Sequence, residues 1–274
     1  MQDIPSSSFS FGRKIVKSLL LLTACVGIGA GTGWGLSEMK TSQWRSTIKF
    51  DAPTVIELGN YYSLATTYAL LQGEKMAEVE QTISQKSYAE FKRNLSSPDL
   101  LKLYLTESEV VKQQASAQNL PIDTVAQQIA PHFQLDEKNN QFSVTLENPE
   151  KAKLLLTNFI LFITEKTRQI LKNELTQKWK ILFQQVKYAA ENNLGPIQTG
   201  EQVAKQDWSG KLNLMRSVSP LDENLVAFRL LQVPTTPTTP ISPDKSLWVM
   251  IGALAGLVFG LFGIVLLNFR NASK

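Results

Sequence analysis

Two long apolar runs bracket the chain. Leu247 to Leu267 passes about 21 residues without a charge, and at about 1.5 Å per residue a helix of that length spans the roughly 30 Å hydrocarbon core of a bilayer. A buried core helix of a soluble protein rarely needs so long an uninterrupted stretch. Ser18 to Leu36 is a second run of spanning length, entered from Arg13, Lys14 and Lys17. A basic start and an apolar centre also open a secretory signal peptide, and Leu22-Thr23-Ala24-Cys25 is like a lipoprotein processing box. Val26 to Leu36 stays apolar, however, where a processed lipoprotein would turn polar, so an uncleaved helix is the favoured reading. Gly27, Gly31 and Gly35 in the first run, and Gly252, Gly256 and Gly260 in the second, recur every four residues. Each set lines one helix face, where small residues let another helix approach closely in lipid. The first set is then a packing face for the Gly252 helix or for a neighbouring copy.

Between the two runs the patterns are shorter. Trp44 to Phe50 alternates as a strand closed by Pro53. Thr54 caps a helix whose apolar residues Val55, Leu58, Tyr62, Ala65 and Leu70 keep roughly helical spacing. Short helical patterns continue through Gln118, with Pro98 and Asp99 as a break, and another helix runs from Leu120-Pro121-Ile122-Asp123 to Pro131. Phe142 to Leu146 alternates as a half-buried strand. Asn148 as N-cap, Pro149 in the first helical position and Glu150 at the positive end of the dipole then open a long helix, about 149–190, stopped by Asn192-Asn193-Leu194-Gly195-Pro196. Its first part, Leu154 to Ile163, is apolar on every side and is expected in a core. Its second part narrows to the stripe Leu171, Leu175, Trp179, Leu182, Val186 and Ala189, the seam of a helix against a helix, read first as an intradomain hairpin. Leu225 to Val233 reads as a buried strand. Pro234, Pro237, Pro240 and Pro243 follow at three-residue spacing, the period of polyproline II, and predict a stiff connector over 234–243.

Charge orients this layout. Basic residues precede the first run and Arg270 and Lys274 follow the second, which keeps both ends cytoplasmic while the long middle segment is exported. The expected order is a cytoplasmic tail 1–17, a first span 18–36, a periplasmic α/β domain 37–246, a second span 247–267 and a tail 268–274. The net charge of +4 over 274 residues, without a basic run interleaved with aromatics, gives no reason to expect a nucleic-acid partner.

The chemistry-bearing residues are few. With Cys25 and His132 each alone, neither a disulfide nor a Cys/His metal site can be assembled within the chain, and His132 in Pro131-His132-Phe133 reads as structural. Gly195 to Gly200 has the glycine spacing of a phosphate loop, but Glu201 stands where a lysine is required and would repel phosphate. No Gly-x-Ser-x-Gly or His-Glu-x-x-His occurs. No catalytic residue, cofactor or metal is assigned, and a protein that is not an enzyme is expected.

Three pieces together carry a resemblance. Trp44-Arg45-Ser46 leads to Pro53-Thr54-Val55-Ile56-Glu57-Leu58-Gly59-Asn60-Tyr61-Tyr62-Ser63; Phe228-Arg229-Leu230-Leu231 runs into the spaced prolines; and the Gly-rich second run closes with a basic tail. In these the chain resembles the Wzz-type chain-length determinants, polysaccharide co-polymerases of bacterial inner membranes without a kinase domain, closest to the branch serving enterobacterial common antigen. The resemblance implies an α+β membrane protein: two transmembrane helices flank a periplasmic mixed α/β base from which a helical hairpin extends. It also implies a homo-oligomer beside a polysaccharide polymerase, acting on a lipid-linked glycan without cutting or joining sugars. Pro53, Leu58, Gly59, Tyr61, Tyr62 and the four spaced prolines would be framework rather than a pocket. Between Lys178 and Lys211 the chain is shorter than the family pattern, so the hairpin is expected to be stubby. A two-span periplasmic sensor or adaptor without catalytic activity is the other reading the layout allows.

Overall fold

The computed structural model describes residues 7–192, 194, 196–199, 202–205 and 207–272. In chain order its elements are α1 (Ser7–Glu38), β1 (Trp44–Asp51), α2 (Val55–Leu58), α3 (Asn60–Leu71), α4 (Met76–Leu95), α5 (Pro98–Glu107), α6 (Glu109–Gln118), α7 (Ile122–Ile129), β2 (Phe133–Asp136), β3 (Gln141–Leu146), α8 (Pro149–Glu191), β4 (Pro196–Thr199), β5 (Gln202–Lys205), α9 (Trp208–Ser217), β6 (Arg229–Gln232) and α10 (Lys245–Ala272). They fall into two compact units, one holding both apolar runs and the other holding Ser46–Thr145 with Glu150–Thr236. The ends of the two expected tails, at 1–6 and 273–274, and the residues Gly195, Gly200 and Glu201 of the phosphate-loop comparison lie outside the described residues.

The larger unit is built on a four-stranded sheet of order β2-β3-β1-β6. β1 keeps the alternation read from its sequence, with Ser46, Ile48 and Phe50 buried on one face. β2 pairs antiparallel with β3, Phe133 opposite Val144. β1 pairs antiparallel with β6, with a register shift between Lys49 and Phe50. Two expectations change here. Phe142, Ser143, Val144 and Thr145 of β3 are all buried, so this inner strand is covered on both faces rather than half-buried. The expected buried strand over Leu225–Val233 is split: Leu225, Ala227 and Phe228 are buried but precede β6, whose four residues are all exposed. Being at an edge is not enough to explain this, since the other edge strand β2 keeps Phe133 buried; among the described residues nothing covers either face of β6.

Aromatic rings fill the core beside the sheet. Phe91 stacks on Phe228 with ring centroids 4.4 Å apart and meets Phe50 edge-on at 5.3 Å. A second group joins Phe142, Phe159, Tyr104 and Phe133; the Tyr104 hydroxyl donates to the Leu155 carbonyl at 2.9 Å. The helix expected to run from Val55 to Leu70 is interrupted. Gly59, at φ 55°, breaks it into α2 and α3, because that left-handed backbone cannot continue a helix.

α8 runs for 43 residues, beginning at Pro149 as its cap signals predict. The expectation that its first part is covered on every side is corrected: Leu155, Leu156, Phe159 and Ile163 are buried, whereas Leu154 and Leu161 are 47% and 62% exposed. Core elements cover one side of the helix only. Further on, Leu171, Leu175, Leu182, Val186 and Ala189 are buried along the stripe read from the sequence. Leu182 and Val186 pack with Leu212 and Met215 of α9, and Tyr68, Leu71, Trp179 and Trp208 close around them. The return leg is ordered by local bonds: Gly210 N–H donates to Asp207 Oδ1 at 2.7 Å to cap α9, and Trp208 Nε1 donates to the Leu194 carbonyl at 3.1 Å. β4 and β5 form a two-stranded antiparallel ribbon between the helices.

Candidate functional site

In the smaller unit the two apolar helices lie against each other. Of the most apolar 18 residues within Ser18–Glu38 and within Lys245–Val265 only 6% and 11% are buried, so neither is the core helix of a water-soluble body. Glycine lets them touch backbone to backbone. A Cβ placed at Gly252 would sit 2.2 Å from the Gly29 carbonyl oxygen and 3.1 Å from the Gly33 Cα. One placed at Gly256 would sit 2.2 Å from the Cys25 carbonyl oxygen, and at Gly260 it would come 3.2 Å from the Cys25 Cβ. The α10 set Gly252, Gly256 and Gly260 therefore faces α1.

The α1 side differs from the sequence reading. Gly27, Gly31 and Gly35 have nothing within 4 Å of an added Cβ, so that face does not meet the Gly252 helix. Gly29 and Gly33 meet it instead; a Cβ at Gly33 would lie 2.3 Å from the Trp248 carbonyl oxygen. The two glycine sets are interleaved two residues apart, which is about 200° around a helix. Both keep the spacing of four, and spacing alone does not choose between them. Composition does not choose either, since Ala24 joins Gly27, Gly31 and Gly35 in an equally small stripe; in the structure Cys25, Gly29, Thr32 and Gly33, with Ile28 and Phe259, wall an apolar groove of about 410 Å³ along the pair. Beyond the apolar stretch the two ends are tied by polar contacts. Lys245 Nζ donates to Glu38 Oε1 at 2.7 Å, Lys40 Nζ lies 4.6 Å above the Trp248 ring, and Gln43 N–H donates to the Ser242 carbonyl at 2.9 Å. Ile241 N–H returns to the Gln43 carbonyl at 2.8 Å.

The proline series does not run as one ladder. The chain bends at Thr238 and Thr239, between Pro237 and Pro240, so Pro240 and Pro243 do not extend the three-residue period begun at Pro234 and Pro237. The pairing of Ile241 and Ser242 with Gln43 sets the path there instead of free polyproline geometry.

In the larger unit, Pro53 to Tyr62 links β1 to α3 and is held on both sides. Pro53 is buried and its carbonyl accepts from Ser84 Oγ at 2.6 Å. Thr54 N–H donates to Glu57 Oε2 at 2.7 Å, and the Thr54 hydroxyl bonds the same oxygen. This reciprocal cap holds the Glu57 carboxyl below its ordinary range, the Thr54 hydroxyl being the main cause and burial opposing it. Leu58 is buried, and Gly59 packs under Asp222, whose Oδ1 would be 3.2 Å from any Cβ there. The Glu57 carbonyl accepts from Val226 N–H at 2.7 Å, and Asn60 Nδ2 donates to the Pro220 carbonyl at 3.1 Å. The motif thus anchors the return segment 220–226. The same segment is fastened to α8 by Arg168 Nε on the Leu225 carbonyl at 3.0 Å and by Lys172 on Glu223, whose carboxyl that lysine holds low. The Tyr62 carbonyl accepts from Thr66 Oγ1 at 2.7 Å, while the Tyr61 phenol is pushed up to about 12, mainly by burial. Most of these bonds end on main chain, the Thr54–Glu57 hydroxyl bond and the Lys172–Glu223 pair being side chain to side chain. Among the described residues no three His, Cys, Asp or Glu side chains stand together.

No family model matches the chain. An uncharacterised protein of Haemophilus influenzae is 35% identical to it over 114 residues, which is 41% of this chain and 97% of that protein. Among solved structures, a full-length bacterial polysaccharide co-polymerase is similar over 94% of this chain and 96% of its own, with a TM-score of 0.56 at 15% identity. A fragment of WzzB, polysaccharide co-polymerase from Salmonella Typhimurium, is similar over 73% of this chain and all of its own length, with a TM-score of 0.50 at 13% identity. At these identities the likeness is one of fold. The expected α+β architecture, with a spanning-length apolar helix near each end, is borne out.

Proposed function

We propose that this chain, which belongs to one family with the uncharacterised Haemophilus influenzae protein and carries the fold of the polysaccharide co-polymerases, is a non-enzymatic regulator of polysaccharide chain length. The observation that carries the reading is the similarity to a full-length co-polymerase over 94% of the chain, rather than over a domain fragment alone. The protein sits in a bacterial inner membrane with two spans, its α/β unit in the periplasm and both termini in the cytoplasm. The basic residues before Ser18 and after Leu267 support that orientation.

Its work is assembly rather than chemistry. Copies form a homo-oligomeric scaffold for a polymerase that extends a lipid-linked glycan of O-antigen or enterobacterial-common-antigen type. The Gly27, Gly31 and Gly35 face is open among the described residues and is the surface offered to a neighbouring copy. Pro53, Leu58, Gly59 and Tyr62 serve as framework, in keeping with the Pro53 bond to α4, the burial of Leu58, the seat of Gly59 under Asp222 and the bonds of the intervening Glu57 and Asn60 to 220–226.

The test is the length distribution of surface polysaccharide on a gel, in cells with and without the gene. A narrow band that becomes random on deletion and returns on complementation supports the regulator. An unchanged ladder in a strain proven to make polymerase-dependent glycan overturns it in favour of a two-span adaptor.

A further inference from the structure

α3, α4 and α8 enclose a polar cleft of about 330 Å³ in the larger unit, which the contacts described so far do not use. That volume is at the lower end of small-molecule pockets. Its wall carries three cations, Lys86, Arg93 and Lys178, and two carboxylates, Glu90 and Glu174, with Tyr61 between the helices. Glu90 is only 12% exposed; it accepts from Arg93 Nη2 at 2.6 Å and from Asn94 Nδ2 at 3.3 Å. Lys178 pairs with Glu174 one turn before it. Among the described residues Lys86 has neither an ion pair nor a hydrogen bond, so one positive charge is left over at the cleft. The Tyr61 phenol, protonated at neutral pH as any tyrosine is and raised further by burial against an opposing Ser87 hydrogen bond, is available as a donor. Leu171 and Leu175, both nearly fully buried, and Ala89 supply an apolar strip beside these groups.

We propose that this cleft binds one acidic pyranose unit, of uronic-acid type, its carboxylate on Lys86 and Arg93 and its hydroxyls on Glu90, Glu174, Lys178 and Tyr61. The chemistry excludes simpler occupants. A compact dianion such as phosphate would meet two carboxylates, whereas a ring with one charge and several hydroxyls uses acceptors and donors alike. A neutral sugar gains nothing from the Lys86 ammonium, which water solvates at that exposed position, whereas a carboxylate does. Ala89, exposed at the rim, offers an apolar contact to the C–H face of a pyranose, with Leu171 and Leu175 as the nearly buried floor. The identification of the unit as part of a growing glycan rests on the chain-length reading; the binding itself does not.

The experiment is saturation-transfer NMR on the full-length protein in detergent micelles, with methyl β-D-glucuronide, methyl β-D-glucoside and inorganic phosphate as probes. The glucuronide is expected to saturate more strongly than the glucoside. Lys86→Glu, at an exposed position, should weaken it about fivefold. Ala89→Trp, which fills the cleft from an exposed position, should abolish it, with the unfolding temperature of both variants kept. Equal signals from glucuronide and glucoside, a glucuronide signal that survives both variants, or its displacement by phosphate at equal concentration would overturn the site. The two readings fail separately. Absence of glucuronide binding alongside a ladder that still depends on the gene overturns the cleft alone. Cleft binding alongside a ladder indifferent to the gene supports the cleft and overturns the chain-length reading.

Discussion

Replacing Gly252 by alanine tests whether the close approach of α1 and α10 holds the smaller unit together. The added methyl would lie 2.2 Å from the Gly29 carbonyl oxygen, 3.0 Å from its carbonyl carbon and 3.1 Å from the Gly33 Cα. A carbon atom approaches a carbonyl oxygen to about 3.3 Å at closest, so the helices must part by roughly 1 Å. A gap of about that size forfeits a quarter to a half of each dispersion contact along the junction, and overpacking of this kind costs about 1–3 kcal/mol. In lipid no hydrophobic force opposes the separation, since acyl chains are as apolar as the helix. The reporter is Gly260→Cys, because a Cβ there would be 3.2 Å from the Cys25 Cβ and 3.7 Å from its Sγ, near enough to bridge after a small adjustment. Mild oxidation of membranes should then consume both thiols, read as loss of mass-tagging by maleimide-polyethylene glycol. Adding Gly252→Ala should slow that cross-linking and lower its yield, since about 1 kcal/mol lowers the ratio of packed to parted helices about fivefold. Gly31→Ala is the control, since nothing lies within 4 Å of its Cβ, and it should leave the yield unchanged. Equal cross-linking with alanine at Gly252 and at Gly31 would refute the packing argument.

Three other outcomes follow from the geometry. Phe91 is fully buried between Phe228 and Phe50, so Phe91→Ala should cost about 3–5 kcal/mol in urea unfolding, and a loss below about 1 kcal/mol would show that the site collapses to fill the space. The Glu57 carboxyl is depressed by its cap, so its contribution to stability is present above the unfolded carboxylate range, about pH 4–5, and is lost as pH falls through the lower folded value. Glu57→Gln should therefore lower the melting temperature at pH 7, with the gap to the native protein narrowing toward pH 3; a gap independent of pH would exclude the ionised cap as its cause. Cys25→Ser should leave mass, membrane attachment and topology as they are, because Cys25 sits within α1 facing Gly256 and Gly260; detachment of the N-terminus would instead establish a lipid anchor at that thiol.

Much of the architecture rests on local rules that a linear reading can apply. A charge-free run of spanning length is apolar wherever it is placed, so α1 and α10 are legible directly. Asn148-Pro149-Glu150 starts a helix through its own cap and dipole, and α8 begins there. The Leu171 to Ala189 stripe is buried for the same reason, since helical spacing puts those residues on one face before any partner is known. Tertiary placement decided the rest. Gly27 and Gly29 belong to equally regular sets on nearly opposite faces, and only the position of α10 selects Gly29 and Gly33. Leu154 and Leu161 are as apolar as Leu155 and Leu156, yet lie where no element covers α8. β6 is exposed because no described residue packs on its faces, a fact of tertiary placement and not of its Leu-rich sequence. Nor do the positions of Lys86, Glu90, Arg93, Glu174 and Lys178 along the chain reveal a cleft; packing α4 on α8 gathers them. Backbone propensity and hydrophobic period act over a few residues and so are written in the chain, whereas contact between faces depends on elements far apart in sequence and exists only once they are packed.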